Sequence, residues 1–235
     1  MLNTMENIKL DFTDSATIIS QHFDDGAEEA ILSQSLDSAT HSIYSEIEQS
    51  TFNQTIEREQ LVLPLYVNQL EVYLPVYRAL ERHCEQKLSS TWHEKMMKTP
   101  LLENDLACLQ TEMLNARVQR LTMDFMQFVD QTGKQNHLKL LGILYALEKL
   151  NLLHYHLLPH IQNMYELKSK GVSFYRSHGS NVYQQWYLFT QDLDHMGLTL
   201  FEQSEVMTGA TQTFERLDNL LSNLWKLNSL YKEAV

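Results

Sequence analysis

The side chains best suited to chemistry gather in one unusually apolar stretch, residues 136–162 (NHLKLLGILYALEKLNLLHYHLLPHIQ). Turning 100° per residue puts Lys149, His156 and His160 on one stripe of a helix. His154 falls on the opposite side, among Leu140, Ile143, Leu147, Leu150, Leu158 and Ile161. An imidazole on so apolar a face needs a partner, because burying it unpaired costs about 1–3 kcal/mol. It is either a core histidine bonded to a carbonyl or a tyrosine, or a ligand in the wall of a cofactor site. His156 and His160 are four residues apart and could share a metal. No carboxylate shares their stripe, however, and Pro159 lies between them, so a metal site there is not expected.

The elements that must position these groups are helical. Seven Gly and four Pro in 235 residues leave little turn material, and β-branched runs are scarce. An all-α single-domain bundle of seven or eight helices is expected. Residues 1–26, with Asp11, Asp14, Asp24 and Asp25, read as a loosely held acidic leader before a helical domain spanning 27–232. A first helix is expected over 27–49 on Leu32, Leu36, Ile43 and Ile47. A second spans 56–88, with a break or kink at Pro64 or Pro75. A third starts near Leu101 and can continue to Phe128. Residues 131–134 (QTGK) read as a turn introducing the 136–162 helix. A loop over 168–179 leads to a helix capped by Ser180 or Asn181, and a last helix runs over 200–231.

The formal charge of −12 argues against a nucleic-acid partner and an anionic membrane surface. No apolar run is long enough to span a bilayer, and no signal segment opens the chain. Cys84 and Cys108 form no metal or redox motif, so a reducing cytoplasm is the expected compartment. Phosphate loops, nucleophile elbows and paired E-x-x-H motifs are missing.

Three stretches, taken in order and spacing, resemble the heme oxygenase family, especially its bacterial members. LSQSLDSATHSIYSEIE (32–48) resembles the opening helix that carries the proximal heme ligand, and EREQLVLPLYVNQLEVYLPVYRALE (57–81) the second helix. LYALEKLNLLHYHL (144–157) is similar to the distal helix with its glutamate-then-glycines pattern. SFYRSHGSNVYQQWYLFTQDLDHMGLT (173–199), continuing into ATQTFERLDNLL (210–221), is similar to the closing helices.

The resemblance implies a heme oxygenase-like fold that binds heme and cleaves it oxidatively to biliverdin, carbon monoxide and iron, with electrons from a reductase or other donor. It implies His41 as the proximal ligand of heme iron, and puts Lys149, Leu153 and His154 against the heme, where the family has glycines that let the helix backbone approach. No residue is assigned a catalytic role. Gln34, Ser38, Trp186 and Thr190 stand where the family carries basic partners for the heme propionates. Two other functions follow from these departures. One is a heme binder without cleavage, with His154 as a second axial ligand opposite His41. The other is a cofactor-free interaction scaffold that keeps the fold.

Overall fold

Helices account for all the regular structure among the described residues. A computed structural model describes residues 31–87, 97–109 and 116–228, within one compact unit that begins at Ile31. Its helices are α1 (Leu32–Glu48), α2 (Thr51–Glu57), α3 (Leu63–Lys87), α4 (Thr99–Cys108), α5 (Ala116–Gln135), α6 (His137–Met164), α7 (Val182–Asp194) and α8 (Leu200–Trp225). A single 3-10 turn, Gly179–Asn181, precedes α7. The leader expected over residues 1–26 lies outside the described residues, as does the end of the last expected helix.

α6 is the central helix, and every residue from Leu140 to Asn151 in it is buried. Its start is set by Asn136, whose side-chain oxygen accepts from the backbone N–H of Leu138 and of Lys139, both at 3.0 Å. It packs most extensively on α8. Two glycines permit that contact. A Cβ on Gly142 would lie 2.0 Å from the Val206 carbonyl oxygen, and one on Gly209 would lie 2.2 Å from that of Lys139. The two backbones therefore cross with no side chain between them. α8 opens with a reciprocal cap, in which Thr199 and Glu202 satisfy each other's backbone N–H.

α1 repeats its buried residues every turn, with Leu32, Leu36, Thr40, Tyr44 and Ile47 facing inward. It lies on α8 and α7. The carboxylate of Asp194, at the end of α7, accepts from the backbone N–H and the hydroxyl of Ser33, each at 2.7 Å. This satisfies first-turn donors that no helix can satisfy internally.

Most of the expected second helix is α3, which starts only at Leu63 and is broken at neither proline, with Pro64 in its first turn and Pro75 inside it; the separate α2 ends at Glu57. The turn expected at 131–134 is not one, because α5 runs through it to Gln135. Gly133 is in that helix for a packing reason. A Cβ there would meet Cγ of the His83 ring at 2.3 Å, so glycine makes room for an imidazole rather than for a bend. The break comes at Asn136 instead. Asn181 is the residue before α7, although its side chain makes no cap hydrogen bond.

Candidate functional site

A groove of about 480 Å3 runs between α1, α6 and α7. α1 contributes Ser33, Gln34, Asp37 and Ser38, α6 contributes Tyr145, and α7 contributes Trp186 and Thr190. The stripe on α1 follows from helical spacing. His41 stands three residues after Ser38 and four after Asp37, so it continues the same face by one turn. The imidazole is exposed and has no hydrogen-bond or ion-pair partner among the described residues. On the opposite wall, the Tyr145 and Trp186 rings meet at 5.2 Å between centroids.

Lys149 of α6 reaches across to α1. Its Nζ donates to Asp37 Oδ1 at 2.5 Å and lies 4.7 Å from the centre of the Tyr44 ring and 5.8 Å from that of Tyr145. An ammonium over aromatic faces is held by the ring quadrupoles as well as by the carboxylate. Burial pushes the hydroxyls of Tyr44 and Tyr145 far above their ordinary range, helped by Glu48 beside Tyr44 and by Asp37 beside Tyr145, so both phenols are neutral at any physiological pH. Leu153, one turn after Lys149, is buried.

His154 is elsewhere. Its ring lies 4.5 Å from Tyr175, 4.9 Å from Phe174 and 5.8 Å from Tyr73. These partners belong to α3 and to the segment after α6, which Asp105 holds by accepting from the backbone N–H of Ser173 and Phe174 at 2.8 Å. Burial, with Lys98 adding a little, pushes His154 down to about 3, so the ring is neutral. Its Nδ1 has no hydrogen-bond partner among the described residues. His41 thus follows the groove-lining Asp37 and Ser38 along α1 and Lys149 is bonded to one of them, Asp37, whereas His154 sits in the aromatic core. His156 and His160 sit near Glu57 and Glu59, 3.9 and 3.5 Å away. No group of three metal-ligating side chains occurs among the described residues.

Beside Lys149 on α6, Glu148 points away from the groove into a buried polar cluster. Lys98 Nζ is 3.0 Å from Glu148 Oε1, and His178 Nε2 is 3.0 Å from Oε2. Burial alone would raise the Glu148 carboxyl, but Lys98 and His178 outweigh it and hold the group below its ordinary value. Lys98 and Thr99 in turn donate their backbone N–H to Glu81 at 2.5 and 2.9 Å. The cluster ties α6, α3, α4 and the loop before α7 together behind the groove.

The pattern of the family described as Heme oxygenase matches residues 30–223. The chain belongs to the heme oxygenase family. Solved structures with the same fold include the heme oxygenase of Leptospira interrogans, at 18% identity and a TM-score of 0.72, over 82% of this chain and 99% of that one. Heme oxygenase-1 of the cyanobacterium Synechocystis, in complex with heme, matches at 15% identity and 0.74, over 87% and 98%. A domain of unknown function with a heme oxygenase-like fold from Shewanella denitrificans matches at 14% and 0.63, over 87% and 96%. No curated protein matches the chain.

As a test of fit, the α1 side of the groove suits heme. An exposed imidazole continues its lining stripe, and the Tyr145 and Trp186 rings stand on the wall facing it. The α6 side does not suit heme as it stands. On that side the Lys149 side chain crosses to Asp37 of the facing helix. Asp37 was not legible as a site residue, because nothing in helical spacing announces a partner on another helix. The one available signal was the Glu148-Lys149 pair, whose charges each need a counter-charge in so apolar a helix.

Proposed function

We propose that this protein takes heme as its substrate in the groove between α1, α6 and α7, with His41 as the ligand of the iron, and cleaves it to biliverdin, carbon monoxide and iron. Membership of the heme oxygenase family supports the reaction class. The observation that carries the site is the placement of His41, exposed and unpartnered among the described residues, one turn beyond Asp37 and Ser38 on the groove face of α1. A neutral imidazole is a good iron ligand, and bound heme would supply the metal at which oxygen is reduced. The protein's part is to hold the macrocycle against the aromatic wall of Tyr145 and Trp186 and exclude bulk water. A reductase or other electron donor belongs to this proposal. So does a cytoplasmic setting, which the two free cysteines support. No helix among the described residues is long and apolar enough to cross a membrane.

A second reading, binding without cleavage, draws on Lys149, whose ammonium is bonded to Asp37 of the groove wall. Hemin titration followed by visible spectroscopy, then reductant under air, decides between them. Saturation at one heme per chain, Soret loss and a growing red biliverdin band are expected. A Soret band that persists under reductant and air selects the binder. His41→Ala is expected to abolish the defined spectrum, and an unchanged spectrum in that variant would remove His41 from the site.

A further inference from the structure

We propose that the cavity between the last turns of α3 and α5 binds a compact dianion, a phosphate or dicarboxylate group. It shares no lining residue with the groove of α1, α6 and α7. The proposal does not rest on the function proposed for that groove.

The cavity measures about 470 Å3 and is lined by Arg82, His83, Gln86 and Lys87 of α3 and by Asp130 and Lys134 of α5. Helical spacing puts them on one face of each helix. Leaving His83 aside, three of these side chains are cations and one is a carboxylate. The lining therefore carries an excess of positive charge, on a chain whose formal charge is −12. A concave surface focuses such a local excess on a small anion.

The same surplus appears as unused hydrogen-bond donors. Asp130 accepts from Lys134 Nζ at 2.6 Å, from His83 Nε2 at 2.9 Å and from Arg82 Nη2. The remaining N–H groups of that guanidinium and ammonium, with Gln86 and Lys87, have no partner among the described residues. A guanidinium beside ammonium groups suits the oxygens of a phosphate or carboxylate. The donors are also held in place before any ligand arrives. His83 is only 4% exposed, and its ring fits because a Cβ at Gly133 would lie 2.3 Å from it. Asp130 is bonded to that buried ring and in turn ties down the ends of Arg82 and Lys134. Lys134 and His83 hold the Asp130 carboxyl down to about 2, so it stays ionised and keeps both cations in position. Side chains already ordered lose less rotamer freedom on binding.

Calorimetric titration of the full-length chain with inorganic phosphate, and separately with succinate, tests the site. Ionic strength is held constant with sodium chloride, at about pH 8, where phosphate is mostly dianionic. Saturable binding at one site is expected, with a Kd of about 1 mM or tighter. Arg82→Gln and Lys134→Gln should each weaken it about tenfold, the effect of one charge-assisted hydrogen bond. Both residues are exposed, so these variants keep the fold. Lys170→Gln removes the same charge from an exposed residue outside the cavity and should change nothing. Binding of phosphate alone or of succinate alone supports the site and says which dianion it takes. No saturable binding of either, by heat or by a rise in unfolding temperature, overturns the proposal. So does a loss as large in Lys170→Gln as in Arg82→Gln, which would be the mark of a diffuse ionic atmosphere. No readout involves heme, so failure here leaves the proposed function standing.

Discussion

Lys98 and Glu148 form an ion pair in the interior, Nζ to Oε1 at 3.0 Å, with side chains 1% and 7% exposed. Such a pair adds little over a well-packed apolar pair, but removing one member strands a buried charge. Glu148→Leu should therefore destabilise the protein by about 3–5 kcal/mol, while the double variant Lys98→Met/Glu148→Leu should recover much of that loss. Denaturant unfolding of the four proteins checks this. If the single variant costs no more than the double, the pair is not what holds α6 to the segment before α4.

Gly142 and Gly209 permit a second relationship that can be measured. The Val206 carbonyl stands 2.0 Å from where a Gly142 Cβ would be, and it is backbone, which cannot rotate aside. Gly142→Ala must push α6 and α8 apart and should cost about 1–3 kcal/mol, in spite of the better helix propensity of alanine. A variant as stable as the wild type, by thermal unfolding, would show that the helices do not cross this closely.

The outline of the fold was legible because it depends on period. The buried stripe of α1 and the unbroken burial of 140–151 are both written in the spacing of apolar residues. What the sequence hid depends on contacts between helices. Gly133 looked like a turn because glycine commonly is one, yet it is helical and makes room for the His83 ring. His154 could be assigned to the apolar face, but whether that face met a cofactor or three aromatic rings was not in its spacing. Lys149 and His41 were singled out by resemblance, while Asp37 and Lys98, the groups that decide where Lys149 and Glu148 point, carry no local signature. The ends of long charged side chains are placed by partners far away in sequence.

His154 gives the protein an acid sensitivity whose sign can be worked out. In the unfolded chain its ordinary value is 6.5, and in the folded protein burial pushes it down to about 3. Between these values the unfolded state binds a proton that the native state does not. The neutral ring's contribution is therefore fully present above pH 6.5 and is lost progressively as the pH falls toward 3. From pH 6.5 to 5 the loss amounts to about 2 kcal/mol for this group. Glu148, also held below its ordinary value, adds a loss only in more acid solution, so the interval from pH 7 to 5 isolates the histidine from it. Urea unfolding of wild type and His154→Phe at both ends of that interval provides the measurement. Phenylalanine suits a site already walled by Phe174 and Tyr175 and carries no titrating nitrogen. The variant should lose about 2 kcal/mol less than the wild type on acidification. Equal losses in the two proteins would mean that His154 keeps an ordinary affinity for protons and is not enclosed as the aromatic packing requires.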